Sequence, residues 1–498
     1  MHKQYFSGKQ LHLSSEEKRS IGGYKRKSLK LLTEKNILVG DNILIKTDEG
    51  EFTGILMPRY ESADENHIVI KLKSGYNIGI ELGKIQYMTK TIQQSTQNGQ
   101  STLAAIMHSS AVKPVKVKRT QQREEEKKDK LLPKIALISI GGTIASKVDY
   151  RTGGVHAVLS ASELYASVPE IAKYASVDPE VLLNEYSENL KPEHWTLIIN
   201  KIAEKVKSGR YRGVIISHGT DTMHYTASAL SFALQNLPIP VILVGAQRSS
   251  DRPSSDAALN LIGATLFATN SEFSGVFVVM HARSSDNVIA CHIGTRVRKN
   301  HTSRRDAFES IDVTPIALIK DDIVEVQQCE IKLKKRNNEN DNRSSRDNDD
   351  NNSSFVVKPD FDNRVILLKY HPGFDPDLIS HAVLVGYKAI IIEGTGLGHI
   401  NRDCFSQIQK AVESGIMVFM TSQCIWGRTR MTVYDTGRDL LNIGVIPLSD
   451  MISETATVKA MWVLANSKDI ESAKKMMQEN IANEICATIP LTDKGIYH

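Results

Sequence analysis

The sequence contains no apolar run approaching the roughly 20 residues that a membrane-spanning helix requires, so a soluble body is expected. Cysteine is scarce: five, at positions 291, 329, 404, 424 and 486, odd in number, widely spaced and with no C-x-x-C pair. That pattern excludes a disulfide scaffold or a cysteine-built zinc site as the organising feature, and fits a reducing cytoplasm. Charge of one sign is equally scarce. The 62 Lys and Arg against 57 Asp and Glu leave a formal +5 over 498 residues, too small an excess to announce nucleic acid. The amino-terminal 30 residues carry eight Lys or Arg and two Glu, yet no apolar stretch follows them, so they do not form a secretory signal. Residues 1–38 read as a flexible basic arm, without the aromatic interleaving of a base-stacking platform.

What is present is an ordinary globular composition, 41% hydrophobic and 24% charged, on a chain long enough for two or three domains. Over residues 39–92 short alternating runs (Ile43 and Ile45, 52–56, Ile68 with Ile70 and Leu72, 76–80) are separated by the turns Asp48-Glu49-Gly50 and Ser74-Gly75. This predicts a small SH3-like β-barrel or, alternatively, a meander packed on the main body. Residues 93–132 turn polar and then charged, and read as a linker. From Pro133 the pattern is α/β: apolar runs at 135–140, 214–217, 241–245, 276–280, 365–369, 389–393 and 416–421 alternate with helical periodicity. Seven such strands imply one large, mostly parallel sheet in two subdomains. The first is expected over 133–440, with the start of the second near residue 360 and the second running 360–498. Residues 334–354, dominated by Asn, Asp, Ser and Arg, cannot bury enough surface to offset ordering entropy and read as a disordered insertion.

The chemistry sits at strand ends. The first run closes on Gly141-Gly142-Thr143, placing a hydroxyl after two glycines where open parallel sheets carry their sites. Glycine allows close approach to the backbone, and amide N–H groups at such a turn can hold an oxyanion. A plain strand-to-helix turn would look the same. The run at 214–217 ends in His218-Gly219-Thr220-Asp221-Thr222, where Thr220 or Asp221 could instead simply cap the next helix. A threonine hydroxyl needs a nearby base. Lys299, in a basic stretch with Arg296 and Arg298, could supply one if burial or neighbouring cations depress its pKa from about 10.4; a solvated loop is the bland alternative.

Taken in order, Gly141-Gly142-Thr143-Ile144, His218-Gly219-Thr220-Asp221-Thr222 and Val297-Arg298-Lys299 resemble the three successive blocks of the asparaginase and glutaminase family. The resemblance implies an α/β, parallel-sheet asparaginase-like body in two subdomains. It implies Thr143 and Thr220 as the two hydroxyls, Lys299 as the base beside Thr220, and Asp221 as the group orienting that lysine and the substrate's amino group. Tyr150 matches the tyrosine of the family's lid. Ser187, Glu188 and Gly219 match positions against the substrate, Glu188 standing where most members have glutamine. Gly245-Ala246-Gln247-Arg248 resembles the family's Gly-Ala-Met-Arg block. The implied reaction is acyl transfer from a side-chain amide with release of ammonia, requiring neither metal nor cofactor on this chain; which threonine attacks is open.

More than a hundred residues precede the first block, and they separate two functions. The segments 54–59 and 70–80, together with 142–153, 251–257 and 447–464, resemble the D-subunit family of archaeal-type glutamyl-tRNA(Gln) amidotransferases. That resemblance implies glutamine or asparagine as ammonia donor. A partner, the amidotransferase E-subunit, would use ATP with Mg to activate Glu-tRNA(Gln), and a homodimer through the asparaginase-like body would make a heterotetramer. A free-standing asparaginase is the alternative; an RNA-binding module on an inactive body ranks behind both.

Overall fold

The computed structural model describes residues 23–48, 50–57, 59, 64–72, 77–91, 132–142, 146–148, 155–157, 168–249, 255–329, 331, 333–336 and 354–487. They form two compact units, which are taken separately.

In the amino-terminal unit a helix, α1 (Arg26–Glu34), precedes β1 (Asn42–Thr47), β2 (Gly50–Leu56), β3 (His67–Leu72), β4 (Asn77–Glu81) and β5 (Tyr87–Lys90). The strands pair antiparallel in the order β4-β3-β2-β1-β5. Alternation sends Ile43, Ile45, Leu56, Ile68, Ile70, Ile80 and Met88 inward. Two expectations change here. Edge strands β4 and β5 do not pair with each other among the described residues, so this is an open five-stranded sheet without the closure of a barrel. The flexible arm does not reach residue 38: Leu32 and Ile37 are fully buried in this core, and the Tyr24 hydroxyl donates to Met57 O at 2.8 Å. Burial of a few apolar side chains from a short basic helix outweighs its charge. Residues 1–22 and nearly all of the expected linker lie outside the described residues.

The second unit begins with β6 (Lys134–Gly141). The chain then forms the short pair β7 (Ser146–Val148) and β8 (Val155–Ala157), of which residues 148–156 are assigned to the first unit, and the second unit goes on with β9 (Ser176–Glu185), α2 (Pro192–Lys207), β10 (Gly213–Ser217), α3 (Met223–Ala233) and β11 (Leu234–Gln235). Next come β12 (Pro240–Val244), α4 (Ala257–Asn270), β13 (Gly275–His281), β14 (Ile289–Ile293), β15 (Val297–Lys299), β16 (Phe308–Ser310), β17 (Ala317–Lys320) and β18 (Ile323–Val326). The main sheet runs β18-β17-β14-β13-β12-β10-β6-β9. It is parallel from β9 to β13 and antiparallel beyond, so the expected parallel sheet is a mixed one. Its central strands are buried and mostly apolar because both faces are covered. Ala136, Ile138, Val214 and Ile216 pack in the cluster that contains α2 and α3, and Ile135, Leu137 and Ile215 in the one that contains α4.

After β19 (Val356–Val357) a second sheet forms from β20 (Val365–Lys369), β21 (Ala389–Gly394), β22 (Met417–Ser422) and β23 (Ile446–Pro447), all parallel. The expected single sheet is therefore two. Helices α5 (Asp377–Val385), α6 (Phe405–Glu413) and α7 (Asp435–Asn442) contribute to the cluster on one face. α8 (Ser453–Asn466) lies on the other, followed by α9 (Ile470–Gln478). A 3-10 turn at Arg402–Cys404 leads into α6, and the chain turns left-handed just beyond it at Gly415 (φ 80°). α8 packs on α3, with Phe232 and Trp462 stacked 5.9 Å apart, so the two subdomains share one core. Of the expected insertion, residues 334–336 and 354 are among the described residues. Lys335 bridges Phe273, and the buried Arg336 donates to Ser271 O (3.2 Å) and Ala268 O (3.4 Å), leaving residues 337–353 outside the description. Among the described residues no helix is long and apolar enough to cross a membrane.

Candidate active site

Parallel pairing brings four strand ends to one edge of the main sheet: β6 at Gly141, β9 at Glu185, β10 at Ser217 and β12 at Val244. Gly141 and Gly142 have φ of 108° and 87°. A Cβ on Gly141 would lie 2.4 Å from Glu185 O, and one on Gly142 only 2.3 Å from Gly219 N. Only glycine supplies both the positive φ and the missing side chain. A Cβ on Gly219 would in turn meet the Ser187 side chain at 2.8 Å, and the Thr222 hydroxyl donates to Ser187 O at 2.7 Å. Blocks far apart in sequence are thus joined backbone to backbone.

Thr220 and Asp221 do not cap the following helix: the N-cap of α3 is Thr222, and its side chain makes no cap hydrogen bond. Instead the Lys299 Nζ donates to Thr220 Oγ1 at 2.8 Å and to Asp221 Oδ1 at 2.6 Å. Those distances suit a hydroxyl nucleophile and a base oriented by a third group. Nor is Lys299 in a solvated loop. It ends β15, its side chain is 8% exposed, and Asp221 opens to solvent at 67%.

The carboxyl-terminal subdomain holds this lysine in place. Arg296 and Asp450, both fully buried, pair at 2.8 Å, and Arg296 also donates to Asp450 O (3.0 Å) and Asn483 O (2.9 Å). Arg298 Nε donates to Glu454 Oε1 at 2.7 Å, and the Thr455 hydroxyl to Thr295 O at 3.0 Å. With both flanking side chains anchored on α8 and the loop before it, a three-residue strand has little freedom.

Of the residues expected in the site, the structure brings together Ser187, Gly219, Thr220, Asp221 and Lys299. Glu188 follows Ser187 in the same 3-10 turn, exposed to solvent. Thr143 and Tyr150 lie outside the described residues.

His218 is fully buried under this edge. Its Nδ1 lies 2.5 Å from Gly219 O, so Nδ1 carries the proton and Nε2 accepts from Thr226 Oγ1 at 2.8 Å, whose oxygen also takes the Trp195 indole N–H at 3.1 Å. Burial pushes His218 down to about 4, and does the same to His224 and His292. The folded pKa then lies below the unfolded value near 6.5, so the unfolded state binds more protons between the two. The stability these groups contribute is complete above about 6.5 and is lost as pH falls towards 4. Urea midpoints should therefore be flat from pH 8 to 7 and fall steeply from pH 6 to 4.5; a flat profile down to 4.5 would show that these rings are not held neutral.

Comparison with known proteins places the chain in a family. Residues 134–332 match the family model "Asparaginase, N-terminal", residues 364–477 "Glutaminase/Asparaginase C-terminal domain", and residues 37–88 "GatD N-terminal domain". The glutamyl-tRNA(Gln) amidotransferase D-subunit of Pyrococcus furiosus is 45% identical over 91% of this chain and 96% of its own length; that of Methanopyrus kandleri is 42% identical over 94% and 96%. This chain belongs to the D-subunit family of glutamyl-tRNA(Gln) amidotransferases.

Its body also resembles solved L-asparaginases. The Thermococcus kodakarensis enzyme superposes with a TM-score of 0.62 at 31% identity, covering 71% of this chain and 100% of its own. L-asparaginase I of Vibrio cholerae gives 0.60 at 28% identity, covering 71% and 99%. In this D-subunit relative, sequence reasoning did not find the contacts that support the site, those of His218 with Thr226 and of Arg296 with Asp450. Motif reading finds candidate groups written in consecutive residues; their supports come from distant positions, and only the polar type at an otherwise apolar place signals them.

Proposed function

We propose that this chain is the ammonia-generating amidase component of a tRNA-dependent amidotransferase that converts Glu-tRNA(Gln) to Gln-tRNA(Gln). The observation that carries the amidase half is the Lys299 amine within hydrogen-bond reach of both Thr220 and Asp221. The amidotransferase half rests on the D-subunit relatives and on the extra amino-terminal unit: an entire asparaginase is matched by 71% of this chain. That unit is read as an SH3-like barrel left open between β4 and β5.

Glutamine or asparagine would enter with its α-groups against Ser187, Glu188, Gly219 and Asp221, under a lid carrying Tyr150. A threonine oxygen, Thr143 or Thr220, attacks the side-chain carboxamide, and backbone N–H groups at the glycine turns stabilise the oxyanion. Lys299 accepts the proton of the Thr220 hydroxyl and Asp221 orients the lysine. The C–N bond breaks as the leaving –NH2 takes up the proton held by Lys299 and departs as ammonia; water then attacks the acyl-threonine ester, its oxygen ending in the acid and one of its protons returning to the threonine oxygen. The amidotransferase E-subunit would bind Glu-tRNA(Gln) and use ATP with Mg to activate it. Two copies of this chain joined through their asparaginase-like bodies would make a heterotetramer, in the cytoplasm.

Ammonia release from glutamine and asparagine by the purified chain, alone and with the E-subunit, Glu-tRNA(Gln) and ATP, tests this. Release should rise at least about tenfold in the complete mixture, which corresponds to a barrier lowered by roughly 1.4 kcal/mol. Vigorous asparagine hydrolysis indifferent to the partner and tRNA would instead mark a free-standing asparaginase.

A further inference from the structure

The turn that wears the Gly245-Ala246-Gln247-Arg248 block forms one wall of the Thr220 environment. A Cβ on Gly245 would lie 2.9 Å from both His218 O and Thr220 Cγ2, and 2.6 Å from Met223 Cε. Whatever fixes this turn therefore fixes the space available to the Thr220 side chain. Backbone pairing does not do it, because the turn begins where β12 ends at Val244.

Three buried polar side chains do. Asp256 stands at the N-cap of α4, yet its carboxylate makes no cap hydrogen bond. Its oxygens accept instead from the Gln247 N–H (3.0 Å to each) and the Arg248 N–H (3.0 Å). Asn260, one helical turn on, donates its Nδ2 to Gly245 O (3.0 Å) and to Asp256 Oδ2 (3.1 Å). Both contacts require the amide nitrogen on that side, so Oδ1 faces His281 Nδ1, 2.6 Å away, and His281 carries its proton there. The outer nitrogen of His281 lies 3.4 Å from Asp286 Oδ1, at the exposed end of this relay. Asp256, Asn260 and His281 are each 0% exposed.

A fully buried carboxylate, amide and imidazole are costly, and apolar groups of similar shape would close this space at lower cost. The arrangement is directional: His281 selects one amide orientation of Asn260, and that orientation delivers the donors to Gly245 O and Asp256. We infer that Asp256, Asn260 and His281 are positioning residues that set the Gly245–Arg248 turn against Thr220, and through it the alignment of Thr220 with Lys299. The inference rests on the proposed Thr220–Lys299 site.

The test uses the full chain with the E-subunit, Glu-tRNA(Gln) and ATP, measuring kcat and KM for glutamine together with the thermal midpoint. Asn places its amide nitrogen where His carries Nδ1, two bonds beyond Cβ, whereas Gln does not. His281→Asn should therefore keep kcat within about threefold of the parent. His281→Gln and Asn260→Ala should lower kcat on the order of 10- to 100-fold, the scale of a sub-ångström to 1 Å misplacement, with KM within about threefold. If His281→Asn and His281→Gln lose kcat equally, or if either loss merely tracks the folded fraction, the ring is packing and the inference is wrong. It is wrong too if all three variants stay near the parent while Thr220→Ala and Lys299→Ala abolish release. If Thr220→Ala and Lys299→Ala leave release intact, the site reading itself has failed.

Discussion

Lys299→Ala should lower ammonia release by roughly 10²- to 10⁴-fold, the usual worth of a positioned proton acceptor. The expectation follows from its two contacts, Thr220 Oγ1 at 2.8 Å and Asp221 Oδ1 at 2.6 Å. Folding should survive the change. Asp221 is largely exposed, so the carboxylate left behind is solvated and the lost ion pair contributes little to stability. Lys299→Arg separates two roles. A guanidinium keeps the positive charge beside Asp221 but cannot give up a proton in a protein. If Lys299 acts as a base, Arg should be as inactive as Ala; recovery of most of the rate with Arg would mean the position needs only a fixed charge. Thr220→Ser should retain measurable release and Thr220→Ala should not, since the serine keeps the hydroxyl that Lys299 addresses.

Gly142→Ala should both destabilise the protein and abolish activity. Two costs add: a left-handed φ of 87°, worth about 1–2 kcal/mol for a residue with a Cβ, and overlap of that Cβ with Gly219 N at 2.3 Å and Gly219 Cα at 2.5 Å. The second partner is backbone, so relief requires the two site-bearing turns to separate. Together they should cost roughly 3 kcal/mol or more. Gly373→Ala is the control: φ is 81° there, but nothing lies within 4 Å of the added Cβ. It should show the conformational cost alone, with full activity. Equal urea midpoints for the two variants would sink the claim that Gly142 is held by close backbone contact.

Much of this was readable from sequence because period and punctuation are local. All seven apolar runs after Pro133 are strands, since a short apolar run rich in Val and Ile is too brief for a buried helix and suits a strand covered on both faces. Of the strands it did not reveal, β14 and β17 are short, mostly apolar runs that pair antiparallel within the main sheet, and others are of different kinds. β9 (burial intermediate along most of its length) edges the main sheet, and β15, β16 and β23 are two or three residues long. Helix α1 was hidden by its charge: RKSLKLLTE reads as a basic arm until Leu32 is seen packed among Ile43, Ile45 and Ile68. The count of sheets could not be read either, because β13 and β20 look alike as apolar runs and only pairing assigns them to different sheets.

The sequence by itself determined the candidate chemistry and the family. Two glycine-flanked threonine blocks and a lysine block in fixed order are chemically specific, and each is written in a few consecutive residues. Only the tertiary structure decided that Lys299 faces Thr220 and is almost covered, that Gly142 lies against Gly219, and that Arg296 is stapled to Asp450 across a separation of 154 residues. Those are distances between chain segments, set by β-strand register and by packing of α8 on α3. No local pattern encodes a distance between segments whose separation is fixed by everything folded between them.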